Sequence, residues 1–155
     1  MKTLRTRTSH VLTVVLMLLG VTTAATAQAA PQRLAASTTI CSNSPIPAGW
    51  VVTSSYSSWG CPGTGVSYTI TDTAGQTNLT ICSFSPKPAG WVVTSSYSSS
   101  NCVGTGVAYT LFKITTQTSA VVCSFSPLPA GWVVSSYYPS SNCYGSGVAY
   151  SIRKA

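Results

Sequence analysis

The sequence has almost no acidic side chains and almost no histidine. Among its 155 residues there is no glutamate, the only acidic residue is Asp72, and the only histidine is His10. General acid–base catalysis needs titratable groups in pairs, a glycosidase needs two carboxylates, and a serine or cysteine triad needs a histidine. Calcium sites require several carboxylates. These absences predict a protein that is not an enzyme and that holds no metal or cofactor.

Positive charge is also sparse over most of the chain. The formal net charge is +7, but three of the cations lie within the first seven residues. Beyond residue 29, five cations face one aspartate, which leaves a net charge of +4. These cations are scattered along the sequence: Arg33, Lys87, Lys113, Arg153 and Lys154. Because nucleic-acid binding depends on a clustered basic surface, the composition predicts no nucleic-acid partner.

Long apolar runs are missing outside the N-terminal region. Residues 2–7 are basic, residues 11–21 are apolar, and residues 27–29 (Ala-Gln-Ala) match a small-x-small cleavage site. The apolar run is shorter than the roughly 20 residues that a membrane-spanning helix needs. We therefore expect residues 1–29 to be a signal peptide and residues 30–37 a flexible lead, with the remaining chain secreted and without a membrane span.

What the sequence does contain is one pattern repeated three times. Cys41, Cys82 and Cys123 begin equivalent stretches that are 41 residues apart, with no insertion or deletion between them. A fixed period of this size indicates one supersecondary unit used three times. We expect repeats at about 38–78, 79–119 and 120–155.

Each repeat is predicted to be all-β. Thr, Val, Ser, Tyr and Trp dominate, and these residues favour strands over helices. In the first repeat we expect strands at about 38–43, 50–56 and 66–70. Alternation would place Trp50, Val52, Ser54 and Tyr56 on one face of the second strand. A Ser-Pro-x-Pro-Ala-Gly connection precedes that strand, and a Gly-Thr-Gly turn precedes the third.

Six cysteines in a secreted chain predict three disulfides. The repeat favours one equivalent bond inside each copy: Cys41–Cys61, Cys82–Cys102 and Cys123–Cys143. Each should be worth roughly 3 kcal/mol by restricting the unfolded chain. The spacing within a copy is unlike the C-x-x-C of zinc or redox sites.

A copy of about 40 residues cannot bury enough apolar surface by itself, even with a disulfide. The favoured arrangement is three copies closed around a pseudo-threefold axis, and the alternative is three modules in a row. In period and copy number the sequence resembles β-trefoils and β-prism lectins, which implies the closed arrangement. It lacks the Q-x-W and Q-x-D-x-N-x-V-x-Y signatures of those families.

Aromatic side chains beside hydroxyl groups are the candidate binding residues, because sugar rings stack on aromatic faces and accept hydrogen bonds from hydroxyls. Each repeated tryptophan either packs in the hydrophobic core or stacks against a sugar ring. The repeated tyrosines border the Ser-rich loop. Trp59 has serine at the equivalent positions of the other copies, so we expect it to be exposed. The candidates are Trp59, Tyr56, Tyr97, Tyr138, Trp50, Trp91 and Trp132.

Three functions follow from this pattern. The first is a secreted, non-catalytic protein that binds extracellular or cell-envelope glycans at several equivalent sites. The second is a structural or adhesive protein of an extracellular matrix or surface. The third, more distant, is a multi-headed protease inhibitor or antimicrobial, suggested by the variable residue between the two prolines: Ile46, Lys87 or Leu128.

Overall fold

The computed structural model describes residues 35–155, and these residues form nine β-strands. The expected signal peptide and residues 30–34 of the expected lead lie outside the described residues. The strands are β1 (Ser37–Cys41), β2 (Trp50–Ser57), β3 (Val66–Asp72), β4 (Asn78–Cys82), β5 (Trp91–Ser98), β6 (Val107–Lys113), β7 (Ser119–Cys123), β8 (Trp132–Pro139) and β9 (Val148–Lys154). We refer to β1–β3, β4–β6 and β7–β9, with their loops, as repeats 1, 2 and 3.

Each repeat is one antiparallel three-stranded sheet whose third strand lies in the centre. The strand orders are β1-β3-β2, β4-β6-β5 and β7-β9-β8. The three disulfides join Cys41 to Cys61, Cys82 to Cys102, and Cys123 to Cys143. The predicted all-β fold of three disulfide-stapled repeats is therefore confirmed. The first strands begin at 37, 78 and 119, one residue before the expected repeat boundaries.

A β-bulge in the second strand changes which side chains share a face. In repeat 1 the register shifts between Val52 and Ser54, so Thr53 has no partner on β3. The Thr53 hydroxyl donates to the Thr69 carbonyl at 3.2 Å, and this bond holds the extra residue. Alternation reverses after the bulge. The expectation that Tyr56 shares a face with Trp50 is therefore wrong, since Ser55 takes that place and Tyr56 turns to the other side.

The proline-rich connection ends in a tight turn before each second strand. In repeat 1 the Trp50 N–H donates to the Pro47 carbonyl at 3.1 Å, and Gly49 has a φ of 80°. This pattern is a four-residue turn that needs a positive φ at its third residue, which glycine adopts at little cost. The turn returns the chain to β2 with the Trp50 side chain over the core.

Consecutive repeats pack against each other, and they follow one another in a row. β2 lies against β4 and β5 lies against β7, and no other contact joins strands of different repeats within residues 35–155. The closed threefold ring, which was the favoured arrangement, does not match these contacts. The repeats do follow one another in a row, but they share buried clusters and are not the separate modules of the alternative. The ring would require contacts between repeats 1 and 3.

The hydrophobic core is built at the junctions between repeats. Val52 and Ile70 of repeat 1 share a buried cluster with Cys82 and Cys102 of repeat 2. One repeat further along, Val93 and Leu111 share a cluster with Cys123 and Cys143. Each disulfide of repeats 2 and 3 therefore serves as core material for the repeat before it, which explains how units of this size bury their apolar surface.

Candidate functional site

Two charged groups of the described residues, on Asp72 and Lys87, make contacts within their own repeats. The Asp72 carboxylate accepts a hydrogen bond from the Ala74 N–H at 3.0 Å and so closes a turn. The Lys87 ammonium lies 5.0 Å from the centre of the Tyr109 ring, and burial lowers the pKa of this lysine. Residues 35–155 contain no group of three His, Cys, Asp or Glu side chains placed to hold a metal ion. Of the other charged side chains, Lys113 is half-buried and Arg153 and Lys154 are exposed. Most of the surface chemistry of this part of the chain therefore comes from uncharged hydroxyl, amide and aromatic groups.

Hydroxyl groups join the repeats at each junction. The Ser55 N–H donates to the Asn101 carbonyl at 2.8 Å, and the Ser55 hydroxyl donates to the Val103 carbonyl at 3.0 Å. Ser96 makes the equivalent bonds to Asn142 and Tyr144, at 2.8 and 2.9 Å. These serines could not be recognised from the sequence, because a buried junction serine and an exposed loop serine have the same local pattern.

The repeated tryptophans lie at the core. Trp91 is only 2% exposed and belongs to a buried cluster that repeat 2 shares with its neighbours. Trp50 and Trp132 are half-buried and pack against the clusters of their own repeats. The Trp91 ring consequently has no open face for a ligand, and the most accessible aromatic surface comes from other residues.

The three repeated tyrosines of the second strands are exposed to nearly the same extent. Tyr56, Tyr97 and Tyr138 are 43%, 44% and 40% exposed. Tyr56 and Tyr97 stay exposed to solvent although repeats 1 and 2 are each covered by the repeat that follows. Serines flank two of these tyrosines in sequence, and all of them are half-buried or exposed: Ser54 and Ser57 around Tyr56, and Ser95 and Ser98 around Tyr97. Each repeat thus presents one exposed tyrosine at an equivalent position, and we call these three residues the tyrosine row (Tyr56, Tyr97 and Tyr138).

Trp59 of repeat 1 is fully exposed. It lines a cavity of about 540 Å³ together with Ser57, Ser58, Pro62 and Thr64. The location agrees with the expectation of an exposed side chain, and it places an apolar indole beside several hydroxyl groups.

The variable position between the prolines has a different environment in each repeat. Ile46 packs against the core of repeat 1, Lys87 reaches the Tyr109 ring, and Leu128 is 44% exposed. Lys87 and Leu128 line a cavity of about 370 Å³ at the junction of repeats 2 and 3, beside Trp91. Because Ile46 and Lys87 contact their own repeats, this position does not form three equivalent projecting loops of the kind that a multi-headed inhibitor presents.

The exposed surface at the end of repeat 3 was not predicted from the sequence. Val133 and Val134 are 40% and 41% exposed, and Tyr137 is 77% exposed. The two valines repeat those at 51–52 and 92–93, so pattern alone assigns them to the core. Only Tyr137 indicated a difference in repeat 3, because it stands where the other repeats have Ser55 and Ser96.

Comparison with protein-family models, curated proteins and solved structures found no match to the chain. Within residues 35–155, no helix is long and apolar enough to cross a membrane. The three disulfides indicate an oxidising environment. Interpretation of the function therefore rests on the residues and their geometry.

Proposed function

We propose that the protein is secreted and binds extended extracellular or cell-envelope glycans without catalysis. The observation that carries this proposal is the tyrosine row, whose three rings have equivalent positions and nearly equal exposure. A phenol ring offers an apolar face to the C–H groups of a sugar and a hydroxyl to its oxygens. A row of equivalent sites suits a polymer with a repeating unit.

Multivalency would supply the affinity. One exposed tyrosine with neighbouring serines is a weak site, but sites linked in one rigid array bind a polymer with a high effective concentration. The linear order of the repeats supports this mode because a chain-like ligand can contact all three units in turn. Trp59, with its cavity, adds a fourth aromatic contact at repeat 1.

The absence of acid–base pairs supports binding without turnover. Beyond residue 29 the chain has one aspartate, no glutamate and no histidine. Neither the paired carboxylates of a glycosidase nor a histidine-dependent nucleophile can be assembled from these residues. A bound glycan is therefore expected to leave the protein unmodified.

The test is retention of the oxidised protein on insoluble polysaccharides and on cell walls, with competition by soluble sugars. We expect retention that a defined soluble sugar reverses, and we expect Tyr97→Ala or Trp59→Ala to weaken it. Unchanged thermal unfolding of these variants separates loss of binding from loss of fold. Trp91→Phe is a useful contrast: since Trp91 is buried, this change should lower stability while the remaining folded protein keeps its binding.

Failure of retention on every surface would overturn the glycan proposal. The alternative, a structural or adhesive protein, would then be favoured by the exposed apolar residues Val133 and Val134 at the end of repeat 3.

A further inference from the structure

The second strand of repeat 3 is exposed at positions that are buried in the other repeats. Val133 and Val134 are 40% and 41% exposed, whereas the equivalent valines at 51, 52, 92 and 93 are 0% exposed. We call the uncovered surface the tail face and define it by Val133, Val134, Tyr137 and Tyr150. Repeats 1 and 2 bury this surface under the repeat that follows.

The internal junctions show what covers such a face. At the first junction the Val52 N–H donates to the Ser85 hydroxyl oxygen at 2.8 Å, and the Phe84 ring lies 5.2 Å from the Tyr68 ring. At the second junction the same two contacts recur: Val93 with Ser126 at 2.8 Å, and Phe125 with Tyr109 at 5.0 Å. The covering surface is thus the disulfide end of a repeat, with its serine and phenylalanine.

Repeat 1 presents the same kind of surface, and none of the described residues stacks on it. We call this surface the head face and define it by Ile40, the Cys41–Cys61 disulfide, Asn43, Ser44 and Pro62. Ile40 is half-buried, although its equivalents Ile81 and Val122 are 0% exposed. Ser44 stands at the position of the junction serines Ser85 and Ser126. The head face therefore retains the disulfide, the aliphatic residue and the hydroxyl that an internal junction uses.

Three substitutions at the two ends weaken the match between head and tail. Asn43 replaces the phenylalanine that stacks on tyrosine at each internal junction. Pro62 stands where Val103 and Tyr144 donate their N–H groups to Ser55 and Ser96, at 3.5 and 3.4 Å, and proline has no N–H to donate.

The third substitution is on the tail face. Tyr137 stands in the place of Ser55 and Ser96, which are 2% and 3% exposed. A tyrosine ring exceeds the space that a fully covered serine occupies, so an identical junction would require it to move aside. Its hydroxyl also lies too far from the backbone to replace the serine bond.

We propose that the tail face docks the head face of a second copy, stacked as one repeat stacks on the next. Asn43, Pro62 and Tyr137 keep this contact weaker than the internal junctions. The contact is heterologous, so it adds copies along a line and does not close into a dimer. End residues that differ from the internal repeats are the usual way in which repeat proteins limit such stacking.

Sedimentation velocity of the oxidised protein over a range of concentrations tests this proposal. Wild type is compared with an Asn43→Phe/Pro62→Val/Tyr137→Ser variant, in which each end residue is replaced by its internal equivalent. We expect the association constant of the variant to exceed that of wild type by at least about tenfold, since an aromatic pair alone contributes on that order. Species larger than a dimer should form as the concentration rises.

Two further variants identify the faces. Val134→Asp should abolish the association of the triple variant, while Val121→Asp should leave it intact. Val121 is a matched control because it is also an exposed valine of repeat 3, at 47%, but lies on β7 at the opposite edge of the sheet. Thermal unfolding of both aspartate variants checks that the fold is kept.

If the triple variant misfolds, the single variant Asn43→Phe replaces it in the comparison. Asn43 is exposed, so this change is expected to leave the fold intact. A wild type that stays monomeric at every concentration would overturn the proposal, and so would a triple variant that associates no more strongly than wild type. An association that stops at a dimer, with a constant that Asn43→Phe does not change, would also overturn it. That result would mean that two tail faces pair with each other.

Discussion

At the scale of single residues, the repeats are joined by buried hydroxyl groups. The Ser85 side chain is 3% exposed, and its oxygen accepts a hydrogen bond from the fully buried N–H of Val52. A buried backbone N–H that loses its partner costs free energy comparable to desolvation of that group.

We therefore expect Ser85→Ala to lower the free energy of unfolding by about 1–3 kcal/mol. The matched control is Ser44→Ala, because Ser44 is the equivalent serine of the head face and none of the described residues stacks on it. That change should cost less than about 0.5 kcal/mol. Urea unfolding of both variants measures the difference, and an equal loss in the two would contradict the assigned role of Ser85.

The sequence predicted residues well where one residue type has one role. Cysteine pairing followed from the repeat, and the exposure of Trp59 followed from its replacement by serine in the other copies. The serines could not be separated in this way, because Ser54 and Ser55 are adjacent and only the bulge decides which of them is buried. Nor does composition reveal whether a repeated tryptophan faces solvent.

At the scale of the strand, identical sequences acquire different environments from their position in the row. The Trp-Val-Val segment begins β2, β5 and β8 alike, yet its valines are buried in repeats 1 and 2 and exposed in repeat 3. Local propensity therefore specifies the strand, while the neighbouring repeat specifies its burial. The strands could therefore be predicted from the sequence. The exposed tail face could not, because its exposure depends on the absence of a following repeat.

The same comparison gives a prediction for stability. Val93→Ala removes two methyl groups from a fully buried cluster, and we expect a loss of about 2 kcal/mol in the free energy of unfolding. Val134→Ala makes the same chemical change at the equivalent, partly exposed position and should cost less than half as much. Both values come from chemical unfolding at low protein concentration, where copies do not associate. Equal losses would show that the two valines have similar environments in solution.

At the scale of the whole molecule, stability is shared between neighbouring repeats. The Cys82–Cys102 disulfide packs under repeat 1, and both of its cysteines are at most 1% exposed. The Cys41–Cys61 disulfide closes a loop of the same length, with a sequence separation of 20 in each case. None of the described residues stacks on this disulfide from the preceding side.

A disulfide can stabilise the fold in two ways, by restricting the unfolded chain and by packing at a junction. Replacing both cysteines of one bond by alanine, in repeat 1 or in repeat 2, separates these contributions. Loss of the loop constraint should cost roughly 3 kcal/mol for either bond. Loss of Cys82 and Cys102 should cost about 1 kcal/mol more, because their sulfur atoms also fill the first junction. Paired unfolding curves of the two double variants measure this difference. A larger loss for the Cys41/Cys61 variant would contradict the junction core.

The row of repeats also organises the proposed binding surface. The tyrosines occupy one equivalent position in each repeat. A polymer bound at one tyrosine would therefore have a high effective concentration at the next, and the binding constants of the sites would multiply. A closed threefold ring, in contrast, would present three separate sites facing different directions. The glycan proposal therefore predicts stronger binding of long ligands than of single sugars.

The measurement that tests this proposal most directly is the affinity for a retained polysaccharide as the tyrosines are removed one at a time. The series is wild type, Tyr97→Ala, Tyr56→Ala/Tyr97→Ala, and the variant that lacks all three tyrosines. We expect each step to weaken binding to the polymer, with a total loss of about a hundredfold or more, while affinity for a short oligosaccharide changes much less. Equal retention of wild type and the triple variant would show that the tyrosine row is not the binding surface.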